Sequence, residues 1–173
     1  MPFTIRDFQP ADFDTLWQID QDCFPPGISY SRAELSYYIR RRSSFTLLAV
    51  QAATTDPDQP HSQEKHKRNS PPNPTANIPI AGFIVAEAVR ASGHIITIDV
   101  VASARRSGVG SLLLHATEDR LRAAHCRSVV LETAVDNIPA LKFYKLHGYS
   151  VIKTFPRYYA NGVDALVLQK EII

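Results

Sequence analysis

The sequence predicts an α/β protein (an α+β type of mixed sheet) with about seven strands in a central sheet and helices on both faces. Short β-branched runs alternate with segments of helical periodicity, in the order β-α-α-β-β-β-α-β-α-β-β. The chain has 173 residues, of which 45% are hydrophobic and 21% are charged, as in an ordinary globular protein. We therefore expect a single domain over residues 1–173 that buries its own core.

The N-terminal part of the chain predicts a strand, two helices and a second strand. Residues 3–6 alternate as a half-buried strand does, and residues 11–20 repeat apolar side chains at helical spacing. Ser31 followed by Glu34 forms a capping box, which starts a second helix that ends near position 41. Residues 45–51 are a short apolar run that favours a strand.

A polar, proline-rich stretch separates the two parts of the chain. Residues 53–79 contain almost no large apolar side chain, so they cannot bury enough surface to offset the entropy of ordering. We predict a flexible insertion between two strands of one sheet, because neither flanking part alone has a complete core. The basic patch at residues 65–68 is expected to be a solvated loop, with binding to an acidic surface such as RNA as the alternative.

The part after the insertion is strongly periodic. Its predicted elements are strands at 80–89, 94–101, 128–134, 149–155 and 165–170 and helices at 108–124 and 138–146. A turn at Ser92-Gly93 is predicted to join the first two of these strands. Gly148 is a favourable residue just beyond the last helix, because glycine readily adopts the left-handed conformation there.

Composition and charge exclude several classes of protein. The formal net charge of +2 is too small to indicate a specific nucleic-acid partner or an anionic membrane. Charged residues between positions 6 and 14 interrupt any apolar run, so neither a signal peptide nor a membrane span is predicted, and we expect a cytoplasmic protein. Cys23 and Cys126 are far apart, which predicts free thiols and no metal site.

The segment RRSGVG at residues 105–110 lies between a predicted strand and a predicted helix. Gly108 and Gly110 allow the backbone to approach a ligand closely, and the start of the helix favours a pyrophosphate. Arg105 and Arg106 add positive charge at the same place. A tight turn with two solvated arginines is the alternative, and the segment matches neither the G-x-G-x-x-G fingerprint nor a Walker A loop.

Two motifs resemble those of the GNAT superfamily of acyl-CoA N-acyltransferases. The RRSGVG segment is similar to the R/Q-x-x-G-x-G/A pyrophosphate loop of that family. The segments LETAVDNIPA (131–140) and FYKLHGY (143–149) are similar to its LEV…NxxAxxLYxxxGF stretch. The resemblance covers nearly all of the chain except the insertion, and it implies the GNAT fold with acetyl-CoA as co-substrate.

Further segments resemble the ribosomal-protein and Ard1-type N-terminal acetyltransferases: GHI at 93–95, YYANGVDA at 158–165, and Phe24-Pro25 followed by Tyr30. This resemblance implies acetyl transfer to the α-amino group of a protein or peptide N-terminus, with a ribosomal protein as one candidate substrate. The alternatives are an acetyltransferase acting on a small-molecule amine or a lysine side chain, and a non-catalytic acyl-CoA-binding domain.

The resemblance also implies roles in proton transfer. Glu132 is the expected general base, acting directly or through water, and Tyr144 is the expected acid for the coenzyme A thiolate. An ion-paired glutamate and a packed aromatic ring are the structural alternatives. His94 is a second candidate for proton transfer, while Asp99 either faces the substrate amine or pairs with an arginine.

The backbone near Val100 or Val101 is expected to donate an N–H to the thioester carbonyl and to pair with the pantetheine arm. Asn137 either contacts the cofactor or only caps the helix that follows it. The expected cofactor-binding residues are Val100, Val101, Arg105, Arg106, Ser107, Gly108, Val109, Gly110, Ser111, Asn137 and Tyr144. The expected substrate-binding residues are Phe24, Pro25, Tyr30, His94, Tyr158 and Tyr159.

Overall fold

The computed structural model describes residues 2–52 and 78–173, so the predicted insertion and its basic patch lie almost wholly outside the described residues. The elements of the described ranges follow the predicted order, with short 3-10 turns before the first and third helices. They are β1 (Phe3–Asp7), α1 (Phe13–Cys23), α2 (Arg32–Arg40), β2 (Ser44–Gln51), β3 (Ile80–Val89), β4 (Ser92–Val100), α3 (Val109–Ala123), β5 (Ser128–Ala134), α4 (Ile138–Leu146), β6 (Ser150–Phe155) and β7 (Ala165–Glu171).

The predicted mixed sheet is confirmed. Within the described ranges, seven strands lie in the order β1-β2-β3-β4-β5-β7-β6. The pair β4–β5 is parallel and the other neighbours are antiparallel. No helix of the described ranges is both long and apolar enough to cross a membrane.

Helices cover both faces of the sheet. On one face, Leu113 and Leu121 of α3 are completely buried in a core shared with β3, β4 and β5. On the other face, Leu16 of α1 and Leu35 of α2 are completely buried against β2 and β3. Each such leucine contributes roughly 1.5–3 kcal/mol through the removal of its apolar surface from water.

The turn between β3 and β4 lies at Arg90 and Ala91, so the predicted turn at Ser92-Gly93 is wrong. Both predicted turn residues belong to β4, where Ser92 pairs with Val89. Packing explains the glycine, because a Cβ on Gly93 would lie 2.4 Å from Leu121 Cδ1. The close approach of α3 to the sheet therefore requires a glycine at this position, although a glycine is also typical of a turn.

The two central strands separate towards one end of the sheet. The β4–β5 ladder runs only from the pair Ser92–Ser128 to the pair Ile95–Leu131, although both strands continue. Beyond that point β4 pairs with β3 alone, and β5 pairs with β7 alone. The unpaired edges of β4 and β5 therefore face each other across a cleft in the middle of the sheet.

Candidate active site

Two cavities meet in the cleft between β4 and β5. The first, the loop-side cavity, has a volume of about 400 Å³ and reaches the loop between α1 and α2. The second, the α3-side cavity, has a volume of about 590 Å³ and reaches the start of α3. The residues that line both cavities are Cys23, Phe24, Ile98, Asn137, Ala140 and Tyr144. A ligand in one cavity can therefore touch a ligand in the other.

The start of α3 gives the α3-side cavity the properties of an anion site. Gly108 has a φ of 89°, a left-handed conformation that favours glycine. The Leu112 amide donates to the Gly108 carbonyl, so the amides of the preceding helical residues have no carbonyl one turn back in α3. Gly110 lies against the Phe143 ring, 3.4 Å from where its Cβ would be. Amides at a helix start favour phosphate groups.

The two arginines of the motif line this cavity. Arg105 is held in place by its Nε, which donates to the Val100 carbonyl at 3.0 Å, and its guanidinium also contacts Cys23 Sγ at 3.6 Å. Cys23 and Cys126 are free thiols, as expected. Arg106 follows with a φ of 61°. Both arginines thus line the cavity that the start of α3 also lines, and their positive charge favours a phosphate group there.

Two predicted cofactor residues do not point their side chains into the cavity. The Ser107 hydroxyl donates to the Ala104 carbonyl at 2.6 Å, which closes the turn before α3. The Val109 side chain is completely buried in the core. These two residues can therefore contact a cofactor only through their backbone, and their assignment as cofactor-binding residues stays a prediction.

The backbone of β4 presents Val100, and not Val101, to the cleft. The Val101 amide donates to Ala81 of the β3 side at 3.0 Å, which removes it as a donor for a ligand. In a strand the N–H and C=O of one residue point to the same side, and neighbouring residues point to opposite sides. Since the Val100 carbonyl accepts from Arg105, which lines the cavity, the Val100 N–H faces the cleft as well.

Glu132 lies at the wall of the loop-side cavity and is hydrogen-bonded to His94, with 2.7 Å between Oε2 and Nε2. Glu87 lies on the other side of the imidazole, 3.7 Å from Nδ1, and is paired with Arg41 at 3.1 Å. Burial acts to lower the pKa of His94, but the hydrogen bond and the charges of Glu132 and Glu87 raise it above the usual value. His94 thus contacts the carboxylate and does not line the cavity itself.

Tyr144 lies at the junction of the two cavities, with 5% of its surface exposed. Its ring packs edge-on against Phe143 and Tyr149, which fixes its position on α4. Burial and, to a smaller extent, the charge of Asp99 raise the pKa of the phenol far above its usual value. The phenol therefore keeps its proton, and its hydroxyl can donate a hydrogen bond to an atom at the junction.

Aromatic side chains from two loops form the outer wall of the loop-side cavity. Phe24, Pro25, Tyr30 and Tyr159 line it, as the sequence predicts. The two loops touch, because the Ala160 amide donates to the Gly27 carbonyl at 3.2 Å.

Tyr158, like His94, is a predicted substrate residue that does not line the loop-side cavity. Its ring stacks on Phe155 and is half exposed, so it supports Tyr159 from outside the cavity.

Asp20 is a positioning residue that the sequence analysis did not single out. It is fully buried, and its Oδ2 accepts hydrogen bonds from the Tyr30 amide at 2.8 Å and from Gln21 Nε2 at 3.0 Å. The Tyr30 hydroxyl in turn donates to the Ile96 carbonyl at 3.3 Å. Asp20 therefore fixes the loop that carries Tyr30 onto β4. An aspartate beside Ile19 on the apolar face of α1 is the sequence signal that points to it.

Asp99 neither faces the cleft nor forms an ion pair within the described residues. It is fully buried, lines neither cavity and accepts a hydrogen bond from Thr97 Oγ1 at 2.8 Å. Burial and the charge of Asp20 raise its pKa well above the usual value. Both alternatives predicted for Asp99 are therefore wrong.

The buried carboxyl of Asp20 gives a testable dependence of stability on pH. Burial raises the pKa of Asp20 from 3.8 to about 6. The folded protein thus binds this proton more tightly than the unfolded chain, so the stabilisation is present at low pH and is lost as the pH rises through about 6. We expect Asp20→Asn to raise the free energy of unfolding at neutral pH by on the order of 1–2 kcal/mol, and to flatten its dependence on pH.

Chemical denaturation at several pH values measures both effects. Asp22→Asn on the same helix is the control, because Asp22 is exposed and should change neither the stability nor its slope with pH. An Asp20→Asn variant with the stability and slope of the wild type would contradict the role given to burial.

No group of three or more His, Cys, Asp or Glu side chains among the described residues is placed to hold a metal ion. The residues that line the two cavities instead provide the amides of a helix start, the carboxylates of Glu132 and Asp136, and the phenol of Tyr144. That set suits the transfer of a group between two organic ligands that meet at Tyr144.

Comparisons with known proteins indicate which family the chain resembles. The family model described as "Acetyltransferase (GNAT) family" matches residues 13–149. An N-alpha-acetyltransferase of Sulfurisphaera tokodaii is 36% identical over 77 residues, which are 44% of this chain and 46% of that protein. The chain spans about half the length of the curated relatives it matches.

Solved structures share the whole fold. Ard1 from Thermoplasma volcanium is similar with a TM-score of 0.76 and 24% identity, covering 100% of this chain and 99% of that one. A chain of the NatC complex bound to Gag peptide and CoA is similar with a TM-score of 0.73 and 25% identity, covering 99% of both chains. The described fold is therefore that of these acetyltransferases.

Proposed function

Because the chain belongs to the GNAT acetyltransferase family, we propose that it transfers an acetyl group from acetyl-CoA to the N-terminal α-amino group of a protein or peptide. The observation that supports this proposal is the meeting of two cavities at Tyr144, one with a phosphate-binding end and one with a carboxylate wall. Two similarities support the substrate class: to a protein named N-alpha-acetyltransferase, and to a chain of the NatC complex, which is bound to Gag peptide and CoA.

We also propose that the chain is one domain with an insertion, and that its substrates are cytoplasmic. The family model matches sequence on both sides of residues 53–79, which supports one domain over 1–173 with an insertion. The proposed substrates are N-termini of cytoplasmic proteins, ribosomal proteins among them.

In the proposed complex, the α3-side cavity holds coenzyme A. The amides at the start of α3 and the guanidinium groups of Arg105 and Arg106 bind the pyrophosphate. The Val100 N–H faces the cleft, where it would stabilise negative charge on the thioester oxygen. Asn137 contributes by position, because its Oδ1 accepts from the Ala140 amide at 3.2 Å and so caps α4.

In the proposed reaction, the amine nitrogen forms a bond to the acetyl carbon and the carbon–sulfur bond breaks. Glu132 accepts the proton that the amine loses, directly or through water, while His94 holds the carboxylate in position. Tyr144 donates a proton to the leaving sulfur. Return of the proton from Glu132 to the Tyr144 phenolate restores both groups, so the protein is unchanged over the cycle.

The walls of the loop-side cavity favour a peptide over a polyamine. Its contributions from the α1–α2 loop and from the β6–β7 connection carry no charge: Phe24, Pro25, Ile28, Tyr30, Tyr159 and Asn161. The carboxylates that line it are Glu132 and Asp136. A site for a multiply charged amine would need more carboxylates, whereas tyrosines suit a peptide backbone and its side chains.

Replacing a motif arginine tests the cofactor half of the proposal. We expect Arg105→Ala to weaken coenzyme A binding about 10- to 100-fold, the range for the loss of a charge-assisted hydrogen bond. Titration calorimetry with coenzyme A measures the loss. Arg127→Ala is the matched control, because Arg127 is exposed and lies just before β5, at the end of that strand away from the cleft. Equal affinities for wild type and Arg105→Ala would remove Arg105 from the binding site.

The substrate class is tested by coenzyme A release with acetyl-CoA and a panel of amines. The panel contains short peptides that differ in their first two residues, lysine peptides with blocked N-termini, and free polyamines. We expect turnover only with free N-termini. Turnover only with blocked lysine peptides or polyamines would leave the family assignment intact and overturn the substrate class.

A further inference from the structure

A row of charged side chains crosses three neighbouring strands and ends at the loop-side cavity. Glu87 of β3 lies opposite His94 of β4. His94 in turn lies opposite Val130 of β5, two residues before Glu132. Residues that lie opposite one another, or two apart on one strand, share a face of the sheet. Glu87, His94 and Glu132 therefore lie side by side on one face.

The distances within this row indicate where the protons of His94 lie. Its Nε2 lies 2.7 Å from Glu132 Oε2, and its Nδ1 lies 3.7 Å from Glu87 Oε1. A carboxylate oxygen only accepts, so Nε2 carries a hydrogen that it donates to Glu132. In a neutral imidazole Nδ1 would then present a lone pair to the Glu87 carboxylate, and the two would repel each other. With both nitrogens protonated, each directs a hydrogen towards a carboxylate, so the geometry favours the charged imidazolium.

Glu87 is a buried carboxylate that has no part in the reaction proposed above. Only 5% of its surface is exposed. Arg41 Nη1 lies 3.1 Å from Glu87 Oε2, and the Ser43 hydroxyl donates to the same oxygen at 3.1 Å. A buried charge needs such partners to offset the loss of water. Arg41 and Ser43 therefore hold the Glu87 carboxylate beside Nδ1 of His94.

We propose that Glu87 is a positioning residue for acetyl transfer, which acts on Glu132 through His94. The inference rests on the proposed function, because it requires Glu132 to be the base. A neutral imidazole has a tautomer with its hydrogen on Nδ1, and that tautomer cannot donate to Glu132. The imidazolium, which Glu87 favours, always donates from Nε2 to Glu132 Oε2. The carboxylate is then fixed at Oε2, and Oε1 accepts the proton of the amine.

Other charged and titratable groups near His94 come from the α2–β2 loop, from α2 and from the β6–β7 connection. Arg41 of that loop is the cation of the row, and its guanidinium stays charged over the neutral range. Burial raises the pKa of the Tyr158 phenol, and the charges of Glu132 and Tyr38 raise it further. Arg41 and Tyr158 therefore keep a constant charge over the range in which a histidine titrates.

NMR titration of the His94 ring tests the electrostatic step without any substrate. The signals are assigned by their absence from His94→Gln. We expect the pKa of His94 to lie above the usual value in the wild type, and to be lower in Glu87→Gln, where a neutral amide faces Nδ1. A wild-type pKa at or below the usual value, or one that Glu87→Gln leaves unchanged, would overturn the inference.

Glu118→Gln is the matched control for the loss of a buried carboxylate. Glu118 lies on α3, is 2% exposed and is paired with Lys170 at 2.7 Å. Its variant should lose stability and leave the pKa of His94 unchanged. Glu87→Asp keeps a carboxylate for Arg41 but withdraws it from His94. It should lower the pKa of His94 less than Glu87→Gln does, and it serves as the test if the amide variant does not fold.

Steady-state kinetics between about pH 6 and pH 9 test the effect on the reaction. The measured quantity is the ratio of kcat for the wild type to kcat for Glu87→Gln, in which the titration of the substrate amine cancels. The ratio should pass through a maximum of about three- to tenfold between the two pKa values of His94, where only the wild type carries the charge. Affinity for acetyl-CoA should be unchanged, because Glu87 lines neither cavity.

A double-mutant cycle with His94→Gln tests whether Glu87 acts through His94. In the His94→Gln background, Glu87→Gln should lower kcat no further. A kcat ratio that is constant over pH, or an undiminished effect in the His94→Gln background, would overturn the inference, while turnover by the wild type would leave the proposed function intact. A wild type that binds acetyl-CoA and acetylates no N-terminus would instead overturn the proposed function, and this inference with it.

Discussion

Glu132→Gln should lower kcat by about 10²- to 10³-fold and leave the affinity for acetyl-CoA nearly unchanged. The amide has the size of the carboxylate and can still contact His94, but it cannot accept the proton that the amine loses. Glu132 lines the loop-side cavity and not the α3-side cavity, so the cofactor should bind as before. Steady-state kinetics with a peptide substrate and calorimetry with coenzyme A measure the two effects separately.

Glu171→Gln is the matched control for this substitution. Glu171 is exposed at the end of β7 and lines neither cavity, so its variant should retain wild-type kcat. If Glu132→Gln also turned over at the wild-type rate, Glu132 would be removed from the proton transfer, and its bond to His94 would be only structural.

Tyr144→Phe should lower kcat by about 10- to 100-fold with little change in the affinity for either substrate. The substitution removes only the hydroxyl and preserves the edge-on packing of the ring against its neighbours. Without that donor the sulfur must leave as a thiolate or take its proton from water. Single-turnover kinetics, with saturating acetyl-CoA and peptide, measure the chemical step directly.

Tyr149→Phe is the control, for which we expect a loss of stability and an unchanged kcat. Tyr149 packs against Tyr144, but its hydroxyl donates to buried Glu118 at 3.0 Å and lines neither cavity. Its variant should lose about 1–3 kcal/mol of stability and keep its kcat. A Tyr144→Phe variant that lost stability but not turnover would show that the hydroxyl serves packing and not proton donation.

Local patterns predicted the elements well because their causes are local. The strands at 80–89 and 128–134 and the helix at 138–146 have the predicted bounds, since apolar periodicity and end signals lie within each segment. The capping box is confirmed, with the Ser31 amide 2.9 Å from Glu34 Oε2. Gly148 has a φ of 86° just beyond α4, as its position predicted.

The wrong predictions concern residues whose contacts come from parts of the chain that are distant in the sequence. Gly93 accommodates Leu121, which is far along the chain, so no local rule separates this cause from a turn. The direction of the Val101 amide depends on the register of β3 and β4, which the sequence does not encode locally. Asp20 was not singled out for the same reason, since the Tyr30 amide reaches it only through tertiary structure.

The most direct measurement uses one peptide that carries both a free α-amino group and an internal lysine. The peptide is incubated with acetyl-CoA and the protein, and tandem mass spectrometry locates the acetyl group. Because the loop-side cavity is proposed to bind a peptide N-terminus, we expect acetyl on the α-nitrogen and an unmodified lysine. Acetyl on the lysine, with the α-amino group left free, would contradict it.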